Sequence, residues 1–211
     1  MSITTPPVVL ESGDRLSRDD FHRRYSLLPD LNKAELVQGV VYVPSPTRFS
    51  VHDRQQRDVD LWLGTYAVRM PGVESGVIAT IILDEDTEVQ PDGFLFHVPP
   101  PPRGAYVRED GYIEGAPQLV VEVAASSASY DLHDKLRAYE RAGVQEYIVW
   151  RVLDEEIDWF RLFEGAYQRV RPNERGAVES VAFSGLRLHI AKLLAGDMIG
   201  VLAELDKTVT D

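Results

Sequence analysis

Residues 118–125, Gln-Leu-Val-Val-Glu-Val-Ala-Ala, constrain the fold more than any other stretch of the chain. Strand geometry places Leu119, Val121 and Val123 on one face, and Val120, Glu122 and Ala124 on the other. Both faces carry apolar residues, so the strand needs cover on both sides. Glu122 then falls in a layer from which water is excluded, where an ionised carboxylate is costly unless it is paired or bound to metal. A neighbouring arginine or hydroxyl would meet that need without any chemistry. A functional site would meet it equally well.

The rest of the chain supplies material for such a layered domain. Ser17 and Asp20 have the spacing of a helix-opening cap, with Phe21 and Tyr25 on one helical face. Residues 35–43 are β-rich and turn at Gln38-Gly39. Over residues 50–70, Val59, Trp62, Leu63, Tyr66 and Met70 recur at helical spacing, and Pro71-Gly72 ends the helix. Residues 76–83 and 89–97 read as a strand and its return across a polar turn. The stretch from Pro99 to Pro117 has no periodicity and reads as a long loop. A helix over 131–142 closes at Gly143, strands follow at 146–152, 157–163 and 166–171, and a final helix covers about 190–205. These spacings predict a single α/β domain, a mixed sheet flanked by helices, over residues 15–206 behind a flexible tail at 1–14.

Composition excludes several classes of function. The 211 residues are 44% hydrophobic and 27% charged, as in an ordinary globular domain. The sequence has no cysteine, which removes disulfides, thiolate nucleophiles and cysteine-bound metals. No apolar run approaches the roughly 20 residues that cross a bilayer. No basic residue precedes an apolar run at the N-terminus, so no membrane association is expected and the cytoplasm is the expected compartment. The histidines have no metal-ligand spacing, and Walker, dinucleotide and nucleophile-elbow motifs are missing. The acidic run Asp84, Glu85, Asp86 and Glu88 lacks EF-hand spacing and reads as a solvated hairpin tip. A formal net charge of −12 argues against passive coating of nucleic acid, which depends on a basic excess.

Two residues join Glu122 as candidates. Asp92 follows Pro91 on the strand from Val89, sharing a face with Gln90, Phe94 and Phe96; Pro91 suggests a strand edge or bulge, and Pro-Asp-Gly is also a turn signature. On the helix from Asp131, Leu132, Leu136 and Tyr139 define the inward face, and Lys135 lies about 40° from Tyr139 at its edge. Its ammonium would either snorkel to solvent or turn toward carboxylates.

Pro91-Asp92 at a strand, Glu122 in a buried strand and a following lysine resemble the PD-(D/E)xK restriction-endonuclease-like superfamily. Longer matches resemble the Uma-two family of bacterial endonucleases within it. They are Glu35-Leu36-Val37-Gln38-Gly39, Pro44-Ser45-Pro46 leading to His52, and Val89-Gln90-Pro91-Asp92. The run from Leu119 through Glu122 to Tyr130-Asp131-Leu132, Lys135, Tyr139, Ala142-Gly143-Val144 and Glu146-Tyr147 continues the match. The resemblance covers about residues 17–190. It implies a central sheet with a magnesium or manganese site in which Asp92 and Glu122 are carboxylate ligands and Glu35 is a further acidic member. The lysine often found two residues after the glutamate is replaced here by Ala124, and Lys135 would be its migrated equivalent, stabilising negative charge or positioning the attacking water. Gln90, Tyr139 and His52 would support these groups. Two positions depart from the pattern: Ala125-Ser126 stands where serine-proline is usual, and Gly93 where an apolar residue is usual.

Two functions follow. The first is a metal-dependent endonuclease acting on DNA, with Arg48, Arg54, Arg57, Arg103 and Arg108 as phosphate contacts and, by analogy with enzymes that cut two strands, a homodimer. The second is a catalytically inactive relative serving as an interaction or assembly module. Exposure of Trp159 and Phe160 in the aromatic strand over 157–163 would favour the second.

Overall fold

The computed structural model describes residues 9–44, 52–125 and 127–206. Two six-stranded sheets and a small hairpin share the chain. The first sheet has the order β2-β1-β5-β4-β8-β7 and the second β12-β11-β10-β9-β6-β3. The first contains β1 (Glu35–Val37), β2 (Val40–Tyr42), β4 (Ile81–Asp84), β5 (Thr87–Val89), β7 (Tyr106–Val107) and β8 (Ile113–Glu114). The second contains β3 (Val73–Gly76), β6 (Gly93–His97), β9 (Leu119–Ala124), β10 (Glu146–Arg151), β11 (Glu156–Phe163) and β12 (Ala166–Val170).

The β9 strand is buried at all six positions, as its sequence requires. On the face of Leu119, Val121 and Val123 it packs against Val59, Trp62, Leu63 and Tyr66 of α2 (Arg54–Ala67). On the face of Val120 and Ala124 it packs with Ala138 and Tyr139 of α4 (Leu136–Ala142) and with Val37, Ile81 and Val89 of the first sheet. Glu122 belongs to this second face. Parallel pairing with β10 and antiparallel pairing with β6 make β9 an interior strand.

The expected hairpin 76–83/89–97 is built differently. Each half divides into two strands belonging to different sheets. The β3 strand ends at Gly76 and β4 begins at Ile81, with Ile78 at a φ of 51° between them. On the return, Gln90-Pro91-Asp92 separates β5 from β6. Pro91 has no N–H to give a ladder, so the break falls where pairing is least costly to lose. Its carbonyl accepts from Ile78 N at 3.1 Å, which ties the two crossing points together. Asp92 therefore sits at an elbow between the sheets, outside any strand.

Other elements follow or revise the sequence expectations. Ser17 caps α1 (Arg18–Tyr25) through Asp20 N, and the turn at Gln38-Gly39 has φ values of 52° and 76°. Residues 9–14, expected in the tail, include the buried Leu10, and Gly13 N donates to Val41 O at 2.8 Å. The loop after Pro99 contributes β7 and β8, which pair with each other and extend the first sheet. The expected C-terminal helix is two short ones, α5 (Ile190–Leu194) and α6 (Met198–Leu202), separated by Gly196 at φ 72°. A hairpin of β13 (Ala177–Glu179) and β14 (Arg187–His189) precedes them. In the acidic run, Glu88 is buried, whereas Asp84 and Asp86 are clamped by Arg141. Among the described residues, no helix is long and apolar enough to cross a membrane.

Candidate active site

The junction of the two sheets gathers four buried carboxylates. Glu35 comes from β1, Asp92 from the elbow, Glu122 from β9, and Asp131 from the segment that leads into α4; each is at most 4% exposed. That segment is α3 (Ala128–Tyr130) followed by a π-helical turn, Asp131–Lys135. The wide turn keeps Asp131 and Lys135 on the inner side, with Tyr139 one turn further on. Turns of this kind recur at functional sites because they re-aim side chains within a helix.

Lys135 occupies the middle of the group and is 1% exposed. Its Nζ lies 2.7 Å from Glu122 Oε1, 2.9 Å from Glu35 Oε1 and 3.9 Å from Asp131 Oδ1. The ring of Tyr130 lies beside it, with 5.5 Å between Nζ and the centroid, a cation–π contact. Tyr139 donates its hydroxyl to Glu122 Oε1 at 2.8 Å. The Lys135 ammonium thus turns toward the carboxylates and not to solvent, and Tyr139 shares Glu122 with it.

Asp92 is held separately. Its Oδ2 accepts from Val123 N at 2.7 Å, which pins the elbow to β9. His52 Nε2 stands 3.6 Å from the same oxygen. Lys33 Nζ stands 3.7 Å from Asp92 Oδ1 and 4.0 Å from Glu35 Oε1. Gln56, at the start of α2, donates to the Asp92 carbonyl and to Asp60 Oδ1.

Gln90 supports the group by a route the sequence does not suggest. Its backbone N–H donates to Glu35 Oε1 at 2.8 Å, whereas its side-chain amide donates to Tyr25 and Thr80. Among the arginines expected to contact phosphate, Arg48 lies outside the described residues. Arg54 leans toward α5–α6, where a Cβ on Gly196 would come within 2.5 Å of its Nη2. Arg103 is exposed, at φ 64° in the loop after β6. Among the described residues neither pairs with a member of the carboxylate group. Arg57 and Arg108 are engaged by Asp58 and by Asp110 and Glu114. Lys33 and Asp131 were not singled out from the sequence. Lys33 precedes Glu35 by two residues, the strand spacing that puts both on one face, and this was the available signal.

The electrostatics are uneven. Burial raises the Glu122 carboxyl to about 8, with the Asp92 and Asp131 charges adding to burial and Lys135 opposing it. Burial also raises Asp131. For Glu35, burial is outweighed by Lys135 and Lys33, and its carboxyl is held below the usual range. For Asp92, burial is likewise outweighed by His52, Lys33 and the Val123 N–H, which lower it to about 2. The nearby Asp92 carboxylate is the largest influence raising His52. Fully ionised, the four carboxylates exceed the two ammonium groups by two negative charges, one of which a protonated His52 offsets. No group of three His, Asp or Glu among the described residues is preassembled as a metal cage, because ammonium groups stand between the acids. The donors are nonetheless all oxygen, acidic and buried, and that chemistry fits a hard divalent cation once Glu122 gives up its proton.

Comparison with known proteins gives a family and a fold. A family model, Uma2, described as "Putative restriction endonuclease", matches residues 18–191. The chain belongs to the Uma2 family. The matched span contains every member of the Uma2 carboxylate–lysine group described above. A crystal structure of "a putative nuclease belonging to DUF820 from Anabaena variabilis ATCC 29413" has the same fold, with a TM-score of 0.61. It is 16% identical, and the alignment covers 82% of this Uma2 chain and 96% of that one. No curated protein matches the chain.

Proposed function

We propose that this Uma2 protein is a magnesium- or manganese-dependent endonuclease that hydrolyses phosphodiester bonds of DNA. The observation that carries the reading is the burial of Glu35 and Glu122 around Lys135, with Asp92 pinned to the neighbouring strand beside Lys33, at the sheet junction. A fold built only for stability gains little from such a group, since replacing buried ions by apolar side chains is often neutral or stabilising. Asp92 and Glu122 would hold the ion, with Glu35 as a third acidic member.

When bound, the ion polarises the phosphoryl group and lowers the pKa of the attacking water. The protein's own residues do the remaining work. The Val123 N–H fixes the orientation of Asp92, and Tyr139 fixes that of Glu122. Lys135 holds Glu122 and Glu35 side by side, so two acids that would repel each other stay in one place. His52 stands against Asp92 and limits its rotation. The surrounding apolar layers exclude water, which strengthens each of these interactions. A homodimer would supply two such sites for the two strands of a duplex.

The inactive-module reading loses one support, because Trp159 is 1% exposed and packs in the core rather than facing a partner. The test is cleavage of plasmid and duplex oligonucleotides with magnesium or manganese, comparing wild type with Asp92→Asn. Metal-dependent cleavage that the variant loses, while its unfolding curve stays cooperative, is the expected result. Equal cleavage by both proteins would overturn the assignment.

A further inference from the structure

Lys135 makes a poor partner for substrate. It is 1% exposed, its ammonium is shared between Glu122 and Glu35 at hydrogen-bond distance, and Asp131 and the Tyr130 ring occupy its other sides. An ammonium has three N–H donors. One is donated to Glu122, Glu35 Oε1 lies 2.9 Å away, and Asp131 stands at 3.9 Å. Freeing one for a phosphate would leave a buried carboxylate without its partner.

Lys33 is placed differently. Its side chain is 24% exposed, against 2% for that of Lys135. It stands near Asp92 Oδ1 and Glu35 Oε1 at 3.7 and 4.0 Å, within ion-pair range but beyond a hydrogen bond. Among the described residues it donates no hydrogen bond. Lys33 is therefore a charged group with uncommitted donors, next to the two acids that come from the first sheet and the elbow.

We propose that Lys33, rather than Lys135, is the ammonium that contacts the scissile phosphate of DNA, while Lys135 is a positioning residue for the two glutamates. This rests on the nuclease reading above and assigns the substrate contact within it. A phosphate approaching Asp92 and Glu35 meets two acids, and Lys33, within 4.0 Å of both, supplies a local cation in a chain of net charge −12.

The test is binding rather than turnover. Fluorescence anisotropy of a labelled DNA duplex, at fixed calcium in place of magnesium, is followed over a series of monovalent salt concentrations for wild type, Lys33→Met and Lys33→Arg. Thermal unfolding checks that each protein is folded. Loss of one phosphate contact reduces the slope of log K against log salt by about 0.9. Lys33→Met is expected to lose that much slope and about tenfold in affinity, as for one charge-assisted hydrogen bond. Lys33→Arg is expected to recover the slope. A folded Lys33→Met protein with the wild-type slope would overturn the assignment and leave the nuclease reading in place. Failure of wild type to bind the duplex would overturn both.

Discussion

Lys135 Nζ and Glu122 Oε1 are 2.7 Å apart in a part of the core where both residues are at most 2% exposed. The lysine comes from a π-helical turn and the glutamate from an interior strand, so the pair joins the helix layer to the sheet. Its cost and its use are both set by what surrounds it: Glu35 on the other side of the ammonium, and Asp131 behind.

Removing the cation should expose that cost. Lys135→Met leaves Glu122 and Glu35 buried and adjacent without their shared partner, and is expected to destabilise the fold by about 3–5 kcal/mol. Adding Glu122→Gln to this variant should return part of the loss. Urea denaturation of the two single variants and the double measures the coupling. Additive effects would show that the pair is energetically independent.

The pH dependence of stability should carry two opposing signatures. Asp92 is lowered from 3.8 to about 2 on folding, so its contribution is fully present above the unfolded value and disappears as pH falls through the folded one. It amounts to on the order of 2 kcal/mol. Glu122 is raised from 4.5 to about 8, so the native state binds its proton more tightly and stability declines as pH rises between those values. Unfolding midpoints measured across this range should fall on both sides. Glu122→Gln should flatten the alkaline decline and spare the acid one.

Metal should oppose the alkaline decline. In the proposed site Glu122 would ligate the ion as a carboxylate, and a proton would compete for it below about 8. Millimolar magnesium or manganese is therefore expected to raise the melting temperature more as pH approaches that value. Isothermal titration should show uptake by wild type and none by Glu122→Gln. Identical melting shifts in the two proteins would place the ion elsewhere.

Gly93 makes a packing prediction. A Cβ there would meet Val59 Cγ1 at 2.9 Å and Leu63 Cδ1 at 3.0 Å, because α2 crosses close over the start of β6. The glycine that departs from the family pattern thus permits this approach beside Asp92. Gly93→Ala is expected to cost about 1–3 kcal/mol through overpacking. Chemical denaturation measures it, and a loss below about 0.5 kcal/mol would show that the helix yields freely.

Local rules account for much of what was legible in advance. The two-sided apolar pattern around Glu122 required an interior strand, and β9 is one. The cap at Ser17, the Gln38-Gly39 turn and the apolar face of α2 follow from short-range sterics and periodicity. Helical phase put Lys135 at the edge of the inward face, and only the packed π-helical turn decides that its ammonium faces the carboxylates. The sheet-to-sheet crossing at Ile78 and at Pro91-Asp92 was not legible, because each half reads as one continuous β-rich run.

The sequence by itself determined which segments had to be buried and which charged residues would be left among them, since periodicity and side-chain chemistry are properties of neighbours along the chain. Only the tertiary structure decided which charges meet. Glu35 and Glu122 are 87 positions apart and reach the same ammonium because two sheets join at one elbow. Lys33 gained its place beside Asp92 by the same closure. Pairings of that range depend on how the layers stack, and no local pattern encodes them.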